Sequence, residues 1–278
     1  MHAEETQPTS SSTRPSGPSA GSEVPIRQGT AGMRSGFRLP LWLLTLGAGL
    51  AAGLISWAGG EAMFNRFRIE DEVVYPADYK KLSGYQKQSV TAQSQGDASR
   101  VVERKKAAAS FGLLGLSLGV CLGLTGGLAG GSTRRAIFGA VGGGITGAVG
   151  GGGLSYAIVP FFFRFFDPEQ GLLVLFFTHA AIFAGVGAAA GLGLGIGLGE
   201  RSAPSASVFG GMLGALIGTF TFETANSIAF PLMRTYEPIS TEWLPRLLVY
   251  LCVAIGTALM AGLAAGLSSR KPAPAPVG

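Results

Sequence analysis

Apolar residues in this chain gather into six long blocks, at about 39–60, 107–131, 136–160, 171–199, 205–231 and 247–267, divided by polar stretches. A helix rises 1.5 Å per residue, so about 20 residues cross the roughly 30 Å of hydrocarbon in a bilayer, and every block reaches that length. Backbone groups in lipid must be bonded within a helix or a closed barrel, and blocks this long predict helices, although Leu192–Gly199 alternates locally like a strand. The pattern therefore predicts an all-α integral membrane protein with six spans. The first block follows Arg34 and Arg38 and holds the small residues Gly49 and Ala51, yet it begins later and runs longer than a usual cleaved signal. Cleavage there would leave five spans. The flanking segments 1–38 and 268–278 are rich in Ser, Pro and Gly and read as disordered tails. The polar loop 61–106 carries nine Lys or Arg against seven Asp or Glu, and its end from Val101 reads as a helical extension of the second span.

Within the blocks, glycines recur at four-residue spacing. Gly115, Gly119, Gly123 and Gly127 in the second block are followed by Gly139, Gly143 and Gly147 in the third, then by Gly187, Gly191 and Gly195, and by Gly210, Gly214 and Gly218. Residues four apart share one helix face, so each series predicts a groove without side chains against which another helix packs at close range. In this the chain resembles glycine-zipper membrane proteins. The pattern recurs in unrelated proteins, and the resemblance implies close packing and no particular activity. The series also predict an internal two-helix repeat: Phe111, Gly115, Gly119 and Gly123 match Phe183, Gly187, Gly191 and Gly195, and Phe138 with Gly139 matches Phe209 with Gly210. A two-span unit keeps its orientation, so the copies are related by an axis along the membrane normal. The first and sixth spans read as a third, permuted copy, because Gly262 and Gly266 precede Ser268–Arg270 as Gly195 and Gly199 precede Glu200 and Arg201. The expected fold is thus a six-helix bundle of glycine-zipper hairpins around a pseudo-threefold axis, with Pro160 and Pro231 ending helices.

Composition agrees with this class. Charged residues are 13% of the 278, about half the usual share, and glycines number 45. The formal charge of +5 resides outside the apolar blocks and favours anionic lipid headgroups over nucleic acid, since no basic stripe with interleaved aromatics is present. More basic residues fall on the side of the long polar loop, but without that loop the balance reverses, so charge does not set the orientation of the termini. Expected partners are the lipid bilayer, with a second copy or other membrane proteins as candidates, and no nucleic acid.

Candidate chemistry is sparse. Glu223 falls inside the fifth block, where an ionisable group is costly, and Thr219, Glu223, Asn226 and Ser227 fall on one helical stripe. With a turn near Ser202, His179 in the fourth span comes to nearly the same depth as Glu223, so the two make a candidate proton-binding pair or a structural hydrogen bond. Glu61 closes the first span and reads as a solvated residue at headgroup level. The two histidines are His2 and His179, too few for a zinc site of the HExxH kind, and no cofactor or metal is expected. A dyad of Ser155 and His179 in six spans is similar in span count to rhomboid proteases, but Tyr156 stands where those carry a small residue, and no oxyanion donor is evident. The expectation is a non-enzymatic membrane protein with a structural or assembly role. The alternative is a small-ion or proton-coupled channel or transporter using Glu223, Asn226, Thr219 and His179.

Overall fold

The structure, a computed structural model, describes residues 39–64, 66–165, 171–230 and 238–269. The tail 1–38, most of the tail after 268, and Pro231 lie outside the described residues. Six α-helices form there: α1 (Leu41–Phe64), α2 (Gly84–Ala129), α3 (Thr133–Phe165), α4 (Gly171–Leu198), α5 (Ala203–Ala229) and α6 (Trp243–Ser268). Each is long and apolar enough to cross a membrane. The protein is a multi-pass, all-α integral membrane protein.

Four helices differ from the expected bounds by four residues or more: α1 runs on to Phe64, and α2, α3 and α6 are longer than the apolar blocks. The polar loop is half helix, because α2 starts at Gly84. A capping box starts it: the Ser83 backbone N–H and hydroxyl both donate to Gln86 Oε1 at 3.0 Å. The rest of the loop holds two short 3-10 turns, Ile69–Glu72 and Tyr79–Lys81. These pack back onto α2 through Glu72 with Lys105 and through the Tyr79 and Thr91 hydroxyls, 2.8 Å apart.

Contrary to expectation, Pro160 does not end α3, which continues to Phe165. A proline inside a helix lacks the N–H that would bond the carbonyl four residues back, here Tyr156. Arg104 on α2 replaces it, its Nε donating to the Tyr156 carbonyl oxygen at 2.7 Å. The sixth helix begins at Trp243, earlier than expected, which puts Arg246 in its first turn.

Packing places α2, α4 and α6 in mutual contact, with α3 between α2 and α4, α5 between α4 and α6, and α1 between α6 and α2. Along the middle of α3 the large exposed side chains, Ile137, Phe138, Val141, Ile145 and Val149, are apolar and suited to lipid, and the exposed Thr146 hydroxyl donates to its own helix at the Gly142 carbonyl. Along α2 and α3 the backbones touch. A methyl group at Gly115 would overlap the Gly147 carbonyl, one at Gly119 the Gly143 carbonyl, and one at Gly123 the Gly139 carbonyl. The fourth and fifth helices approach as closely through Gly187 with Gly211 and Gly191 with Ser207.

The series Gly210, Gly214 and Gly218 does not face α4. It faces α6, against the carbonyls of Met260, Gly256 and Cys252. The position of α5 in a cleft between two helices requires two adjacent glycine-rich edges, and Gly211 supplies the one towards α4. Both tight turns, between α2 and α3 and between α4 and α5, pass through a left-handed residue, Gly131 at φ 70° and Gly199 at φ 73°. Glycine alone adopts that conformation without a Cβ clash.

Candidate functional site

Glu223 and His179 meet. The His179 Nδ1 lies 2.6 Å from Glu223 Oε1, and His179 Nε2 lies 2.9 Å from the carbonyl oxygen of Pro238. The histidine is buried and the glutamate side chain is 18% exposed. A carbonyl can only accept, so Nε2 carries a hydrogen. The Nδ1 contact then needs one further proton, held either on the imidazole opposite a carboxylate or on the glutamate opposite a neutral ring. Without it, a nitrogen lone pair would face a carboxylate oxygen across 2.6 Å. The pair is a side-chain contact that ties α4 to α5. Phe183 and Phe222 border the ring at centroid distances of 5.6 and 6.4 Å.

The other residues of the stripe do not join it. The buried Thr219 hydroxyl donates to its own helix, at the Ala215 carbonyl, 2.8 Å away. Asn226 is buried with its side-chain oxygen unpaired among the described residues, and the exposed Ser227 hydroxyl donates to the Glu223 carbonyl oxygen. Ser155 is buried and donates to the Gly151 carbonyl at 2.7 Å, while both His179 ring nitrogens are occupied as described. Among the described residues no three His, Cys, Asp or Glu side chains converge as a metal site requires.

The helix rise sets the depth of the pair. Twenty residues separate Ala203, at the start of α5, from Glu223. At 1.5 Å each they span about 30 Å, the full hydrocarbon thickness. Glu223 and His179 thus lie toward the end of their helices remote from the α4–α5 turn, with Glu223 inside the apolar helix Ala203–Ala229 as the sequence reading expected.

At the same end of the bundle stands a charged pair that sequence reading missed. Arg246 clasps Glu61 with two parallel bonds, Nε to Oε1 at 2.6 Å and Nη2 to Oε2 at 2.8 Å. Its Nη1 donates to the carbonyls of Ser240 and Thr241 at 2.8 and 2.7 Å. The guanidinium carbon and the Lys106 ammonium each lie 4.1 Å from the centroid of the Phe64 ring. Arg246 is buried, and Glu61 is not the freely solvated helix end that was expected. A planar guanidinium matches a carboxylate fork, which makes this the strongest geometry available to an ion pair.

The two pairs share the segment 238–242. Pro238 accepts from His179, Ile239 is buried, and Ser240 and Thr241 accept from Arg246. This segment closes one end of the bundle. A cavity of about 20 Å³ lies beneath it, bordered by His179, Arg246, Tyr250, Phe111 and Phe183. That volume suits a single water. On the outer side, Glu223 borders a groove of about 360 Å³ between α4 and α5, lined by Leu173, Phe176, Phe220, Thr224 and Ser227.

No family model matches the chain, and neither does any curated protein or solved structure with which it was compared.

Proposed function

We propose that the protein is a non-enzymatic structural membrane bundle, built of glycine-zipper hairpins repeated about a central axis, which serves assembly within its membrane. The observation that carries this reading is the direct backbone contact of α2 with α3 and of α4 with α5 at glycines. Close packing of this kind is the main source of helix association in lipid, where no hydrophobic drive exists between helices. The repeat has support in three aromatic residues that border the cavity beneath segment 238–242. Phe111, Phe183 and Tyr250 each stand twelve residues before a glycine, Gly123, Gly195 and Gly262. Phe111 and Phe183 meet edge to face at 5.1 Å. On this reading the His179–Glu223 pair holds the 238–242 segment across the end of the bundle, and a second copy or another membrane protein docks on the outer surface or on the polar region before α2.

A second reading, a proton or small-ion carrier, is favoured by one observation. Glu223 contacts both the outer groove and, through His179, the inner cavity. Proton flux into liposomes separates the two readings. The expected result is flux no greater than in protein-free liposomes, for wild type and for Glu223→Gln alike. The glutamine can still donate to Nδ1 of a neutral imidazole but cannot carry the shared proton. Wild-type flux that Glu223→Gln abolishes would replace the structural reading with the transport one.

A further inference from the structure

Where α2 leaves the apolar layer it forms a groove with α3 of about 400 Å³, lined by Arg100, Val101, Arg104, Val159, Phe163 and Arg164 together with Pro160. The geometry points to a binding site for the phosphate headgroup of an anionic phospholipid, clamped by these three arginines with its acyl chain descending along α3.

Depth supports the assignment first. From Ala136 to Tyr156 there are twenty residues of α3, about 30 Å, so Tyr156 sits at the hydrocarbon boundary and the groove just beyond it, at headgroup level. Tyr156, Phe161 and Phe165 are exposed on the same stretch of α3, as aromatic side chains are at that level.

Among the described residues the three guanidinium groups have few partners. Arg104 is oriented twice over, by the bond from its Nε to the carbonyl freed by Pro160 and by stacking of its guanidinium 3.5 Å from the Tyr156 ring centroid. Its terminal amino groups have no hydrogen-bond partner among the described residues. Arg100 has a contact with Asp97 at 3.8 Å, with side chains 64% and 66% exposed, a pair too solvated to hold the guanidinium in place. Arg164 stacks near Phe165 and forms no ion pair among the described residues. Guanidinium groups converging on one groove are suited to the several oxygens of a phosphate.

The floor selects a lipid over a free anion. Val101 and Pro160 are exposed and Phe163 is half-buried, an apolar surface from which inorganic phosphate gains nothing and an acyl chain gains contact.

Native mass spectrometry of the full chain in detergent, titrated in turn with phosphatidylglycerol, phosphatidylcholine and inorganic phosphate, tests this. Phosphatidylglycerol should bind well above phosphatidylcholine. Arg100→Gln with Arg164→Gln should weaken it about 25-fold, at about fivefold for each charge lost near a headgroup. This double substitution is the informative one, because Arg104→Gln also removes the partner of the Tyr156 carbonyl. Equal binding of the two lipids by wild type would overturn the proposal, as would an unaltered affinity in the double variant. Displacement of phosphatidylglycerol by inorganic phosphate would make the groove a site for soluble anions and overturn the lipid assignment.

Discussion

Gly119→Ala should destabilise the folded bundle by about 3 kcal/mol, the upper end of the range for overpacking a core. An added methyl would overlap the Gly143 carbonyl oxygen and carbon, which are backbone and cannot rotate away. Relief requires the two helices to separate, and separation also breaks the neighbouring contacts at Gly115 with Gly147 and Gly123 with Gly139. Leucine at Gly119, Gly143, Gly191 or Gly214 should abolish folding, since no shift of a few tenths of an ångström accommodates it. Gly153 supplies the control. It lies on the same α3, nothing stands within 4 Å of its added Cβ, and Gly153→Ala should leave stability unchanged or raise it slightly by restricting the unfolded chain. Thermal midpoints in detergent measure both. If the two alanine variants behave alike, backbone contact is not what holds α2 to α3.

Arg246→Met should cost about 3 kcal/mol, the low end for breaking a buried ion pair, because Glu61 is 31% exposed and can be partly hydrated. The loss comes less from the pair itself than from what remains. The Glu61 carboxylate and the carbonyls of Ser240 and Thr241 would stay beside an apolar wall without their donor. Glu61→Gln should cost less, since an amide keeps the shape and one acceptor. Arg246→Lys should fall between them: an ammonium keeps the charge but cannot bond the carboxylate fork and two carbonyls at once. Hydrogen exchange at residues 238–242 supplies the second readout. Protection there should fall in Arg246→Met and stay near wild type in Glu61→Gln. A variant as stable as wild type would mean that the clasp does not tie α1 to α6.

The site was partly legible before the structure. Counting outward from a turn near Ser202 brings His179 to the level of Glu223, because an antiparallel hairpin converts sequence distance from its turn directly into depth. Asn226 and Thr219 share a helical stripe with Glu223, but a stripe states a direction on one helix and says nothing about what lies opposite. Thr219 faces its own backbone, and the Asn226 side-chain oxygen meets no hydrogen-bond donor among the described residues. The clasp between Glu61 and Arg246 joins residues 185 apart, at opposite ends of the membrane domain. Opposite charges at the boundary ends of the first and last spans were its available signal, once those spans are read as neighbours. The start of α2 was written locally too, in Ser83 and Gln86 at capping-box spacing, and was obscured by the polar residues that follow.

What the sequence by itself determined is the number of spans and the places where backbones can touch. Both follow from local rules: hydrocarbon thickness demands about 20 apolar residues, and a glycine has no side chain to keep a neighbour away. Only the tertiary structure decided which helix each glycine series meets, so that Gly210, Gly214 and Gly218 turn to α6 while Gly211 turns to α4. It likewise decided that α3 continues through Pro160, since the carbonyl of Tyr156 is satisfied by an arginine 52 residues away. The reason is common to both cases. A residue's spacing specifies a face and a missing bond, and the partner that fills them is supplied by another helix whose position depends on the packing of the whole bundle.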